Sequence, residues 1–88
     1  MPNNYFPDYL VTPGEVLADY LEGFGMTEVE LADRSGLPLK TVDEIIEGQS
    51  PISPEVARRL ERILGRPAHF WKNLERQFQE DRARLAAS

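Results

Sequence analysis

The stretch that decides the fold is MTEVELADRSGLPLKTVDEIIEG, residues 26–48. It predicts two short helices joined by a tight turn, the layout of a helix-turn-helix. A glycine at position 36 can adopt the positive φ that a sharp turn requires. The small Ala32 lets the second helix come close, and the β-branched Val42 is predicted to point into the angle between the helices.

The residues around this motif predict a bundle of helices without a sheet, because no segment alternates with period two. Thr12 and Thr27 each precede a glutamate by three positions, the spacing of a capping box, and Ser53 stands before a proline. Glycines mark the helix ends. The five predicted helices run from residue 13 to the glycines at 23 and 25, from 27 to 36, over about 38–47, from 54 to 65, and from about 67 to 85.

Apolar residues at helical spacing predict the inner faces of these helices. The lead-in, residues 1–11, is expected to lie against the bundle through Tyr5, Phe6, Tyr9 and Leu10. A domain over 12–80 and a C-terminal tail over 81–88 complete the predicted organisation. The expected core residues are Val16, Leu17, Tyr20, Leu21, Phe24, Leu31, Ala32, Val42, Ile45, Ile46, Val56, Ala57, Leu60, Ile63, Leu64, Phe70, Trp71, Leu74 and Phe78.

Charge divides the chain into an acidic front and a basic back. Residues 1–57 carry two basic side chains, Arg34 and Lys40, against 11 acidic ones, a formal charge of −9. Residues 58–88 carry eight basic and four acidic side chains, a charge of +4. Phosphate attraction dominates the affinity of most DNA-binding proteins. A motif in the acidic half works against that attraction unless the basic half or a partner supplies it.

Length and composition exclude several classes of protein. The chain has 88 residues, which is one domain, and 41% of them are hydrophobic. It has no cysteine, so disulfides and thiolate metal sites are excluded. No apolar run approaches the roughly 18 residues of a membrane helix, and the N-terminus lacks the pattern of a secretory signal. We expect a cytoplasmic protein with no cofactor. No nucleophile–base pair, metal cluster or phosphate loop indicates an enzyme.

Four motifs follow one another in order over residues 12–78. They are TPGEVL at 12–17, the stretch 27–48, ISPE with ARRL and LG over 52–65, and PAHFWKNLE at 67–75. Together they resemble the HigA/VapI-type antitoxins, whose helix-turn-helix is of the Cro/C1 (XRE) class. Longer family members carry a zinc-peptidase-like domain after this point. Nothing here resembles it, since the chain has no HExxH motif and a single histidine.

The resemblance implies a compact, all-α, five-helix domain of the lambda-repressor-like type. Family members bind and block a ribosome-dependent RNA-cleaving toxin (HigB-like) and repress their shared operon as homodimers on operator DNA. Their third helix enters the major groove with its first residues toward the base edges. The corresponding DNA-binding candidates here are Lys40, Thr41, Asp43, Glu44, Gln49 and Ser50, flanked by Leu39 and Glu47.

The third helix departs from the family pattern in its charges. The family usually has arginine, serine, asparagine and lysine where this chain has Leu39, Asp43, Glu44, Glu47 and Pro51. A carboxylate can accept from cytosine N4, and a helix N-terminus can hold a phosphate without a lysine. DNA binding through this helix is therefore the main expectation. The alternative is a protein-interaction module that grips a basic partner, a toxin or a downstream peptidase-like domain, with weak or no DNA binding.

Other conspicuous residues have a structural and a functional interpretation. His69 is the only imidazole and has no neighbouring metal or catalytic partner, which favours a surface or capping role. The spacing of Trp71 with other apolar residues favours the core over base stacking. For Arg58, Arg59 and Arg62 two interpretations stay open: contact with phosphate or an acidic partner, and a solvated face paired with nearby glutamates.

Overall fold

The computed structural model describes residues 10–87, and over that range it is all-α, with five helices and no strand. This confirms the predicted fold class. Of the lead-in residues, Tyr5, Phe6 and Tyr9 lie outside the described residues, and Leu10 is partly buried. The helices are α1 (Pro13–Phe24), α2 (Glu28–Ser35), α3 (Leu39–Ile46), α4 (Pro54–Leu64) and α5 (Ala68–Ala87).

Short polar side chains begin three of the helices. The Thr27 hydroxyl accepts from the Glu30 amide at 3.0 Å, and the Glu30 carboxylate accepts from the Thr27 amide at 2.8 Å. This confirms the predicted capping box of α2. In α1 the structure shows the threonine half of the box, with Thr12 Oγ1 accepting from the Glu15 amide at 3.1 Å. Ser53 Oγ accepts from the amide at the third position of α4.

The end of α1 differs from the prediction at two residues. Gly23 was expected to help end the helix but lies within it, because Gly25 supplies the left-handed conformation, with φ 67°, that terminates the helix. Phe24 was expected in the core but is 55% exposed. The chain turns at Gly25, and Met26, whose amide donates to the Leu21 carbonyl oxygen at 2.9 Å, packs against the core instead.

The core is built from residues of all five helices and from Ile52 in the loop before α4. Trp71 of α5 has no exposed surface, as predicted for the core, and its ring packs edge-on against Tyr20 and Phe70. Five pairs of helices in the described range pack against each other: α4 with α5, α2 with α3, α1 with α3, α2 with α4, and α1 with α5. The other largest fully buried side chains are Leu17, Leu31, Val42, Ile45 and Leu60.

A close backbone contact joins α1 to the end of α3. A Cβ atom added to Gly14 would overlap the Ile45 carbonyl oxygen and would lie 2.8 Å from the Ile46 carbonyl oxygen. Position 14 therefore requires glycine for this approach of two backbones. On the other side, the Glu75 carboxylate accepts from the Ile52 amide at 2.9 Å, so α5 holds the loop that follows α3.

The last helix is continuous across the predicted boundary between domain and tail. It extends from Ala68 to Ala87, and its only buried residue is Trp71, although Phe78 and Leu85 are partly buried. The division at residue 80 stays a prediction.

Candidate nucleic-acid interface

The turn between α2 and α3 is fixed by local and distant hydrogen bonds. Gly36 has φ 78° and its amide donates to the Ala32 carbonyl oxygen at 3.0 Å, which confirms the glycine requirement of the turn. Ser35 Oγ accepts from the Leu37 amide at 3.2 Å. From α4, Arg59 Nη1 donates to the Ser35 carbonyl oxygen at 2.8 Å. The direction of α3 relative to α2 is thus set by the turn and by one arginine of α4.

The start of α3 lacks a side-chain cap. Pro38 occupies the capping position and makes no side-chain hydrogen bond, whereas Thr12, Thr27 and Ser53 cap α1, α2 and α4. The first N–H groups of a helix have no partner within it. The first turn of α3 carries Lys40 and no acidic residue. The tip of α3 therefore has the positive end of the helix and a lysine together.

The side chains of this first turn differ in exposure. Lys40 is exposed, and Leu39 is 42% exposed. Thr41 is partly buried, and Val42 is buried against the core as predicted. Lys40 and Leu39 are thus the side chains of the first turn that are most open to an approaching surface.

Asp43 of α3 lies beside Glu28 at the start of α2. The pKa of Glu28 is raised above its ordinary 4.5, mainly by a side-chain hydrogen bond with Asp43, and further by burial and the negative charges of Asp43 and Glu47. The second turn of α3 thus brings Asp43 beside Glu28 at the start of α2, and the charge of Glu47 acts on the same carboxyl group. Asp43 is partly buried there and faces another helix as well as solvent.

Glu44 closes the loop that leaves α3. Its carboxylate accepts from Ser50 Oγ at 3.3 Å, and its carbonyl oxygen accepts from the amides of Gln49 and Ser50 at 2.8 and 3.2 Å. Gly48, with φ 79°, lets the chain fold back in this way. Gln49 is exposed, whereas Glu44 and Ser50 are partly buried. The six predicted DNA-binding residues therefore lie on α3 or on the loop after it, and their contacts with DNA stay a prediction.

Two of the three arginines of α4 pair with Glu55. Glu55 Oε1 accepts from Arg58 at 3.0 Å, and Glu55 Oε2 accepts from Arg59 at 2.8 Å. The Arg59 hydrogen bond, and then that of Arg58, holds the pKa of Glu55 below its ordinary range. The predicted pairing with a nearby glutamate is thus confirmed for these two arginines, and their contact with phosphate or an acidic partner stays a prediction. The bond from Arg59 to the Ser35 carbonyl was not predicted, because it joins residues 24 positions apart. Arg62 is exposed.

No metal site or membrane helix is found in the part of the chain that the structure describes. Over residues 10–87, no three histidine, aspartate or glutamate side chains are grouped to hold a metal ion. His69 is exposed in the first turn of α5. Over the same range, no helix combines the length and the apolar character needed to cross a bilayer.

Comparisons with known proteins agree on one family. The family model described as helix-turn-helix matches residues 17–71. The antitoxin HigA-1 of Vibrio cholerae is 36% identical over 66 residues, which cover 74% of this chain and 62% of that protein. The virulence-associated protein A of Dichelobacter nodosus is 38% identical over 53 residues, 59% of this chain and 52% of that protein.

A solved structure extends the similarity to three dimensions. The Pseudomonas aeruginosa antitoxin HigA, solved with the higBA promoter, has a TM-score of 0.83 and 32% identity, covering 88% of this chain and 85% of that one. The chain spans between half and two thirds of the length of the two sequence relatives. The family match, the relatives and the shared fold agree: this chain belongs to the helix-turn-helix family and, within it, to the HigA-type antitoxins.

Proposed function

We propose that this chain is an antitoxin that represses transcription by binding operator DNA through α3 and that neutralises a HigB-like toxin in the cytoplasm. The observation that carries the DNA-binding half is the open start of α3, where an uncapped helix N-terminus carries Lys40 and no carboxylate. Such a terminus holds phosphate or points its side chains at base edges in the major groove. The solved relative with its higBA promoter supports the same use of the fold.

The proposed DNA contacts begin at the tip of α3 and end in the loop after it. Lys40 is the donor for a phosphate or a guanine, with Thr41 and Gln49 as further hydrogen-bonding groups. Ser50 and Glu44 hydrogen-bond each other, so they shape the loop and meet DNA as a pair. Asp43 lies one turn away from the tip, beside Glu28, where it favours a cytosine N4 donor over a phosphate.

The second half of the proposal concerns partners. A single helix-turn-helix offers a small contact area, and paired half-sites read by a two-fold dimer are the usual solution. We therefore propose a homodimer on the operator. The chain acts as a binding protein and not as an enzyme, and its second ligand is the toxin whose operon it represses.

A second candidate function rests on the carboxylates of α2 and α3. At the junction of the two motif helices the pKa of Glu28 is raised, mainly by its side-chain hydrogen bond with Asp43 and further by burial and the negative charges of Asp43 and Glu47. Such a surface suits a basic protein better than a nucleic acid. In that case the motif is a protein-interaction module with weak or no DNA binding.

Fluorescence anisotropy with a labelled duplex from upstream of the gene separates the two functions. We expect specific binding that weakens steeply between low and physiological salt, compared with a scrambled duplex. Lys40→Ala should reduce the salt slope by about one unit and the affinity several-fold. Lys72→Ala, an exposed lysine of α5, is the matched control. Absence of binding at low salt would exclude the DNA-binding function and leave the protein-interaction module.

A further inference from the structure

The outer face of α1 carries a line of carboxylates. Glu15, Asp19 and Glu22 are all exposed, and their spacing of four and three residues aligns them along one side of the helix. No lysine or arginine occurs in α1. Over the described residues 10–87, none of the three forms an ion pair. We call this line, together with Tyr20, Gly23 and Phe24 at its C-terminal end, the α1 surface.

The C-terminal end of the α1 surface is apolar. Tyr20, Gly23 and Phe24 line a shallow hollow of about 300 Å³, with Asp19 at its edge. Phe24 is 55% exposed although it is a large aromatic residue. Aromatic residues are enriched at the centres of protein interfaces, and polar residues surround them at the rim.

Gly23 gives an independent reason to regard the hollow as a contact site. It lies within α1, where glycine is less favourable than alanine, and it does not have a positive φ. A Cβ atom added there would meet nothing within 4 Å. Neither helix geometry nor packing within the described chain therefore requires a glycine. Its effect is to keep the floor of the hollow between Tyr20 and Phe24 open to an outside side chain.

We propose that the α1 surface docks the toxin, whose basic surface lies on the carboxylates and one of whose apolar side chains enters the hollow. This inference rests on the proposed function. A protein that cleaves RNA must hold phosphates and therefore carries a positively charged surface. A line of three unpaired carboxylates offers that surface the charge pattern of a phosphate backbone. A second copy of this chain fits less well, because it carries a net charge of −5 itself.

Isothermal titration of the full chain with the purified toxin-like protein encoded beside its gene tests this assignment. Asp19→Lys with Glu22→Lys should weaken the complex at least tenfold and flatten its salt dependence. The control is Glu61→Lys with Glu80→Lys, which makes the same change in net charge on exposed residues of α4 and α5. Phe24→Ala should also weaken the complex at least tenfold. Its control is Val29→Ala, which removes an apolar side chain that is 61% exposed on α2.

Gly23→Ala separates a binding role from a structural one. We expect it to raise the Tm of the chain alone, because alanine favours the helix, while it weakens the toxin complex. A raised Tm with an unchanged complex would overturn the role of the hollow. If the wild-type chain binds the toxin and all α1 variants bind it equally well, the assignment of the docking site to the α1 surface is wrong, and the proposed function stands.

Two other outcomes are also decisive. If the wild-type chain does not bind the toxin, the toxin half of the proposed function fails and this inference fails with it. If light scattering shows a dimer that Phe24→Ala converts to a monomer while toxin binding is unchanged, the occupant is a second copy and the assignment to the toxin is overturned.

Discussion

The two helices of the motif begin in opposite ways. The start of α2 is closed, because Thr27 and Glu30 exchange hydrogen bonds in a full capping box and its first turn carries two carboxylates. The start of α3 is open, because Pro38 provides no side-chain acceptor and its first turn carries Lys40 and no carboxylate. Both helices have eight residues and they follow one another in the chain.

This difference separates stability from binding. A capping box and acidic residues in the first turn both stabilise a helix by satisfying its N–H groups and its dipole. The start of α3 has neither, so its N–H groups and its partial positive charge remain available to a ligand. The neighbouring elements compensate for the missing cap: Gly36 and Arg59 fix the turn before α3, and Val42 and Ile45 bury its inner face.

The largest expected effect is at the turn that joins the two helices. Gly36→Ala should lower the free energy of unfolding by about 2–3 kcal/mol, because an L-residue at positive φ costs about 1–2 kcal/mol and the new Cβ displaces Arg59. That Cβ would lie 2.8 Å from Arg59 Nη1. Urea unfolding measures the loss. Gly65→Ala is the control, since its φ is also positive and its added Cβ meets nothing, so it should lose only the backbone part.

A single substitution removes the side-chain cap at the start of α2. Thr27→Ala removes the hydroxyl that accepts from the Glu30 amide and should lower the free energy of unfolding by about 1 kcal/mol. Thr27→Ser keeps a hydroxyl at the same position and should stay close to the wild type. Equal unfolding midpoints for the two variants would show that the capping box does not stabilise this fold.

A single substitution can also supply the side-chain cap that the start of α3 lacks. Pro38→Ser and Pro38→Ala lose the same proline, but only the first supplies a capping oxygen. Pro38→Ser should therefore be more stable than Pro38→Ala by about 0.5–1 kcal/mol. It should also bind operator DNA more weakly than Pro38→Ala, because the hydroxyl occupies an N–H that a phosphate would use. Operator affinity that is equal in the two variants would contradict the role of the uncapped terminus.

The smallest expected effect concerns the junction of the two helices. Because the pKa of Glu28 is raised in the folded state, that state binds its proton more tightly than the unfolded state. The stability that Glu28 contributes should therefore be lost as pH rises above 4.5, through its raised pKa. Glu28→Gln should remove this loss and be more stable than the wild type at pH 7. Urea unfolding from pH 4 to pH 7 checks it, with Glu61→Gln as control. If the stabilities of Glu28→Gln and Glu61→Gln change with pH in the same way, the contribution of Glu28 is contradicted.

Local signals in the sequence were sufficient for most of the fold. The Thr27 box and the terminal glycines at 25, 36 and 65 depend on residues three or four positions apart, so their spacing predicted them. Phe24 was placed wrongly because its spacing matches the inner face, but the chain leaves the helix one residue later. Spacing cannot show where a helix departs from its neighbours.

The candidate site was less predictable from the sequence than the fold was. Position within the motif was enough to name Lys40 and Gln49 as candidates for DNA contact. The sequence did not show that Ser50 donates a hydrogen bond to Glu44 or that Asp43 lies beside Glu28. The brace from Arg59 to the turn joins two helices that are not consecutive in the chain. Such contacts depend on the packing of α4 and α2, which no local pattern encodes.

The contact at Gly14 has a consequence for how two ligands influence each other. Because the backbone of α1 touches the last carbonyl groups of α3, the two helices have little room to move independently. A ligand that displaces α1 must therefore displace α3 as well. Thermodynamic linkage makes this effect mutual. If a ligand bound to α1 changes the affinity of the chain for its operator by some factor, the operator changes the affinity of the chain for that ligand by the same factor. Because Gly14 has no Cβ, the backbones of α1 and α3 touch, and this contact couples the outer surface of α1 to the proposed DNA-binding surface of α3.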